Sequence, residues 1–146
     1  MMKKASRGFT LIEIMVVVAI IAILAVIAMP RFAGLMDKSK ESTTVGMLTS
    51  LRSALNIYYG DNTNFPGDDL ASLTSNGRYI ANIPMTKLPG TPHMDSSAIS
   101  VGASTAAALT DSGGWAYVND PESHYYGTIF VNCSHLDRNG NPWYSR

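Results

Sequence analysis

Three groups of side chains in this 146-residue chain have types and spacings that could do chemistry. The first is a lone carboxylate, Glu13, inside an apolar stretch from Phe9 to Met29 in which only it and Thr10 are not hydrophobic. A charged group in such a stretch costs about 3 kcal/mol on insertion scales, so it is neutralised, drawn to the headgroup layer or paired. No Lys, Arg or His lies between Phe9 and Met29. A partner must come from elsewhere, and a cut just before Phe9 would create one, because the new α-amino group would supply a positive charge within the chain or to a neighbouring copy.

The second group is Cys133 and His135, which on a strand edge would point to the same face. A metal pair there would need His93 and His124 from distant loops; the plainer reading is a buried strand cysteine beside a surface histidine. The thiol could also link two copies. The third group, Asp137, Asn139 and Asn141, has the alternating spacing of the first ligands of a calcium loop. Gly140, however, stands fourth rather than sixth, Pro142 takes the sixth place, and no Glu closes a twelve-residue loop. Calcium takes about six or more oxygen ligands, so three nameable donors favour an ordinary Asn-Gly turn, and no cofactor is expected.

The element that must position Glu13 is a helix. At ~1.5 Å per residue, the stretch from Phe9 to Met29 reaches roughly 31 Å, enough to cross a hydrocarbon core of ~30 Å. Lys3, Lys4 and Arg7 precede it, against the Pro30-Arg31 that follows, so the N-terminus is expected in the cytoplasm and the remainder outside. A conventional secretory signal cut after Val26-Ile27-Ala28 is disfavoured by a run longer than the usual ~7–15 residues and by Glu13 near its start. Eleven basic and eleven acidic side chains cancel, which gives no footprint for nucleic acid. The single cysteine excludes an internal disulfide, and the absence of a phosphate loop, nucleophile elbow or paired metal motif predicts no enzymatic activity.

The run Arg7-Gly8-Phe9-Thr10-Leu11-Ile12-Glu13, with a short basic leader before it and an unbroken apolar helix after it, closely resembles the class III signal of type IV pilins and type II secretion pseudopilins. The resemblance implies cleavage by a prepilin peptidase between Gly8 and Phe9, N-methylation of Phe9, and pairing of Glu13 with the N-terminal amine of an adjacent subunit. Gly8 suits the cut because it offers no Cβ to an approaching protease. Methylation leaves the amine protonatable, so its charge is kept. Loss of Lys3, Lys4 and Arg7 would leave eight basic against eleven acidic side chains. Pro30 also matches a proline that the family carries at the end of its membrane segment.

Pro30 lacks an amide hydrogen and should kink the helix rather than stop it. Val45, Leu48, Leu51, Leu55 and Tyr58 then recur at spacings of three and four, with charged residues mostly off that stripe, as for an amphipathic helix packed on a core. Gly60 is the expected C-terminal cap, which gives one helix from about Thr10 to Tyr59. Beyond it, Tyr58-Tyr59 leading through a polar turn to Phe65-Pro66 resembles a segment of pseudopilins and related minor pilins. Asp68 to Leu73 reads as a helical turn and Tyr79 to Pro84 as a short extended piece. Thr91 to Gly113, rich in Ser, Thr, Ala and Gly, reads as a surface loop. Trp115–Val118 and Thr128–Val131 read as an antiparallel hairpin.

The expected fold is therefore α+β and pilin-like: a leader at 1–8, a transmembrane or filament-core helix at 9–29, an amphipathic half at 30–60, and a head at 61–146 built on a small antiparallel sheet. The function expected from the resemblance is a structural subunit of a type IV pilus-like filament. It would insert in the inner membrane and assemble as a homo-oligomeric helix with prepilin peptidase and inner-membrane machinery as partners. A type II secretion pseudopilin in a periplasmic filament is the alternative, and a membrane-anchored binding protein that never polymerises is the third reading.

Overall fold

The computed structural model describes residues 9–146, so the leader expected at 1–8 and the cut expected after Gly8 lie outside the described residues. The chain divides between Met36 and Asp37 into two units. Helix α1 (Leu11–Asn62) contributes its first part to one unit and the rest to the other.

In the first unit the apolar side chains of α1 are exposed all round: Ile12, Val16, Ile20, Leu24, Ile27 and Met29 all present half or more of their surface. A helix that is apolar on every face needs an apolar environment. Pro30 stands inside α1 and does not end it.

In the second unit α1 buries Thr44, Leu48, Leu51, Ala54 and Leu55. The buried stripe thus starts at Thr44 and not at Val45, whose side chain is partly exposed. The steps from 44 to 48, 51 and 55 follow helical spacing, and Val45 lies about 100° off that line. Thr44 earns its place by hydrogen bonding: its hydroxyl accepts from Lys87 N at 2.8 Å and lies 2.8 Å from Lys87 O. The helix outlasts Gly60, and Thr63, with φ 56°, takes the left-handed position while its N–H donates to Tyr59 O at 2.7 Å. Gly60 is not the cap.

After α1, Asp68 accepts from Leu70 N and Ser72 N and so opens the short α2 (Ala71–Thr74), which starts later than the expected turn. The sheet has three strands, β1 (Ile99–Gly102), β2 (Trp115–Val118) and β3 (Ile129–Val131), in the order β1-β2-β3. β2 and β3 form the expected antiparallel pair, with Trp115 opposite Val131 and Tyr117 opposite Ile129. β1, however, runs parallel to β2, so the sheet is mixed rather than antiparallel. Parallel neighbours need a crossover of roughly a dozen residues. Here 103–114 supply it and contain α3 (Thr105–Ala108). Thr91 to Gly113 is consequently not a plain surface loop: it holds an edge strand and a helix whose Ala108 is fully buried.

β2 is buried on both faces. Trp115 and Tyr117 join Leu48, Leu51, Leu55, Leu73 and Trp143 in the main core, whereas Ala116 and Val118 pack with Phe130 and Ala108 in a smaller one. Long polar tethers fix the connections, Trp115 Nε1 to Pro84 O and Tyr117 OH to Pro66 O, each at 2.7 Å. The tyrosine-rich end of α1 forms an aromatic cluster, with Phe65 between Tyr59 at 4.7 Å and Tyr126 at 5.6 Å between ring centroids.

Candidate functional site

At the start of α1, Thr10 and Glu13 are in reciprocal contact. Glu13 N donates to Thr10 Oγ1 at 3.4 Å, and Thr10 N approaches Glu13 Oε2 at 3.5 Å. This is the capping-box arrangement, in which an N-cap threonine and a glutamate three residues on satisfy each other's backbone donors. The Thr-x-x-Glu spacing is plain in the sequence, but a reading of Glu13 as a charge alone passes over it. Two consequences follow for chemistry. The carboxylate folds back toward the first residue of the described chain, and it sits in the first helical turn, where the helix dipole also favours a negative group. Phe9 is highly exposed. An amine created at Phe9 would therefore lie one residue from Thr10, on the side to which the carboxylate already turns.

Asp137, Asn139 and Asn141 come together in a turn and not around an open cage. Asp137 Oδ1 accepts from Asn139 N at 2.8 Å and Asn141 N at 2.9 Å, while Oδ2 is paired with Arg146. Gly140 N donates to Asp137 O at 3.1 Å, and Leu136 and Pro142 bridge across the base of the turn. Both oxygens of the one carboxylate are thereby engaged by donors of the protein itself, which is what an Asn-Gly turn with an aspartate staple requires.

Cys133 lies two residues beyond β3 and is completely buried, and His135 is half-exposed. Their Sγ and Nδ1 atoms are 3.6 Å apart. Of the two histidines that could complete the group, the structure brings in His93, whose ring meets that of His135 at 5.0 Å, and leaves out His124, which packs on Tyr125. The fourth member, Asp111, is one that sequence reasoning missed. It is 3.3 Å from His93 Nε2 and 3.5 Å from His135 Nδ1. No local signal marks it, since it meets the others only once α3 and β3 are in place. The hydrogen bond from Ser134 N holds its carboxyl below the ordinary aspartate range, and burial pushes the Cys133 thiol up.

Comparison with known proteins bears on the first of these sites. Residues 3–29 match the family model described as the prokaryotic N-terminal methylation motif, which spans Gly8, Phe9 and Glu13. That defines the class: a protein whose N-terminal apolar helix carries a methylation signal. The chain is 37% identical over 86 residues to the fimbrial protein EcpC of Eikenella corrodens, covering 57% of this chain and 56% of that protein. It is 42% identical over 66 residues to type II secretion system core protein G of Klebsiella michiganensis, covering 45% of this chain and 46% of that one. Core protein G of Escherichia coli K12 is 42% identical over 60 residues, with 41% of each chain covered. The chain thus spans about half the length of the curated relatives it matches. No solved structure matches it significantly. By its motif and by these relatives the chain is similar to type IV pilins and type II secretion pseudopilins.

Proposed function

We propose that this chain is a structural subunit of a type IV pilus-like filament, inserted first as a single-pass membrane protein with its N-terminus in the cytoplasm and then packed into a polymer through Phe9 to Met29. The observation that carries the reading is the pairing of a helix apolar on all sides with a carboxylate turned back to the methylation junction. Prepilin peptidase would cut after Gly8 and methylate Phe9. The amine of one copy would then meet Glu13 of its neighbour, converting a cost in lipid into attraction in the filament. Close packing of small Ala and branched Val and Ile would hold the helices, Pro30 would supply the kink, and the head at 61–146 would face outward.

A second reading, a pseudopilin of a type II secretion system, is favoured by the core protein G relatives and by the aromatic cluster of Tyr59, Phe65 and Tyr126. A deletion strain scored side by side for surface filaments and for secreted proteins separates the two, since loss of filaments alone selects the pilin and loss of secretion alone the pseudopilin. Mass spectrometry of the mature chain should find it beginning at N-methylated Phe9. Glu13→Val should insert and assemble poorly; normal filament yield would reject the pairing, and a strain that loses neither filaments nor secretion would point to an anchored protein that does not polymerise.

A further inference from the structure

We propose that the head holds a zinc ion between His93 Nε2, Asp111 Oδ1, Cys133 Sγ and His135 Nδ1, as a structural site with four protein ligands. These four donors all lie within 4.8 Å of one another. Three of their six separations match the edges of a coordination tetrahedron. With zinc bonds of about 2.0–2.1 Å to N or O and about 2.3 Å to S, tetrahedral angles place two N or O ligands roughly 3.3–3.4 Å apart and an S and N ligand roughly 3.5–3.6 Å apart. The observed edges are 3.3 Å for His93 to Asp111, 3.5 Å for His135 to Asp111 and 3.6 Å for Cys133 to His135. Read as hydrogen bonds, the two N···O contacts are long beside the usual value of about 2.9 Å.

The donor set agrees with the geometry. Two imidazoles, a thiolate and a carboxylate suit zinc and not the hard cations, which take oxygen. The thiolate and the carboxylate together balance the charge of Zn2+. Binding replaces the Sγ–H bond of Cys133 by an Sγ–Zn bond, the proton leaves to solvent, and nothing is oxidised or reduced.

The surroundings hold these side chains in place. Asp111 adopts a left-handed backbone, φ 55°, rare for a residue other than glycine. The buried amide of Asn132 maintains it, accepting from Thr110 N at 2.8 Å and Asp111 N at 3.0 Å and donating to Thr110 Oγ1 and Ser112 Oγ. Ser134 N, at 2.7 Å from Oδ1, orients the carboxylate, the kind of outer contact that ligating carboxylates usually have. Gly113 passes so close to His93 that a Cβ there would stand 3.1 Å from the histidine's own. The carbonyls of Cys133 and His135 are held by Tyr144 N and Trp143 N. Cys133 is sealed inside and His93 nearly so, whereas Asp111 and His135 reach the surface and leave the ion a way in. The site would tie the loop before β1, the loop after α3 and the exit from β3 in a chain whose single cysteine allows no internal disulfide.

The test uses the untagged full chain in detergent micelles, stripped with a chelator and loaded with Zn2+ or, as a spectroscopic substitute, Co2+. One equivalent of zinc should stay bound through gel filtration, and Co2+ should show tetrahedral visible bands with a thiolate charge-transfer band that Cys133→Ser removes. Asp111→Asn and His135→Gln, at half-exposed positions, should weaken binding by at least about tenfold, since loss of an outer-shell contact alone costs ~10–100-fold. His124→Gln should bind as the parent does. Retention of well under one equivalent by the parent chain at micromolar zinc, a cobalt spectrum with no thiolate band, or unchanged affinity in Asp111→Asn with its near-ultraviolet circular dichroism intact would each overturn the proposal.

Discussion

Replacing Thr44 by valine tests whether a single hydroxyl fastens the second half of α1 to the head. Thr44 is fully buried, and its Oγ1 forms a two-bond clip with the backbone of Lys87, 43 residues away, each contact being 2.8 Å. Valine keeps the shape and removes both bonds, leaving the Lys87 N–H and C=O to find other partners. An unsatisfied buried backbone group costs about 1–3 kcal/mol. Lys87 is only half-buried, so the lower half of that range, about 1.5 kcal/mol, applies to each group, and the added methyl returns up to about 0.8 kcal/mol. The net loss expected is roughly 2 kcal/mol, or about 8 °C at ~4 °C per kcal/mol for a head of this size. Thr44→Ser retains the clip and forfeits one methyl, roughly 1 kcal/mol. The assay is thermal unfolding of the full chain in micelles followed by tryptophan fluorescence, since Trp115 and Trp143 are both buried in the main core and are the two tryptophans of the chain. The order parent, Ser, Val is the prediction. A valine variant within about 0.5 kcal/mol of the parent, or a serine variant worse than valine, would show that Thr44 is there for its methyl and refute the argument.

In Gly114→Ala, φ of 75° and a Cβ placed 2.3 Å from Ala98 O collide with the carbonyl that accepts from Trp115 N, so the same melt should show a loss of at least about 3 kcal/mol. Burial raises the phenol of Tyr117 far above its ordinary value. Its contribution is therefore complete up to about pH 10 and declines above it, as the unfolded chain releases the proton that the folded chain keeps. Melts from pH 7 to 11 should show that alkaline fall, and Tyr117→Phe should lower the plateau but flatten the fall. Glu13→Gln should insert like the parent and assemble poorly, because glutamine can close a capping box but cannot pair with an amine; filament yield equal to the parent's would assign Glu13 to capping alone.

The long helix and the β2–β3 hairpin were legible because each announces itself locally, by apolar spacing in α1 and by two short β-prone runs. β1 and α3 were not. Ile99 and Val101 are the only large apolar residues of β1, and α3 is a single turn of threonine and alanines, so neither carries a periodic signal. Their identity comes from partners: β1 pairs with β2, and Ala108 packs on Ala116 and Val118. The shift of the buried stripe from Val45 to Thr44 has the same origin, because burial of a hydroxyl depends on a carbonyl and an amide 43 residues on. Cys133 and His135 were visible as a pair by spacing alone, whereas Asp111 became visible only in three dimensions.

Glu13 is one carboxylate open to two readings. Its charge makes it costly in an apolar stretch, and its position three residues after a threonine makes it a cap. In the described chain it caps, and the contacts of 3.4 and 3.5 Å are long. Long contacts are weak, so little would be lost if the carboxylate exchanged the Thr10 amide for a charged amine, and a charge-assisted bond is roughly twice as strong as a neutral one. The same arrangement would thus help to start the helix before a cut and leave the carboxylate ready to pair after it.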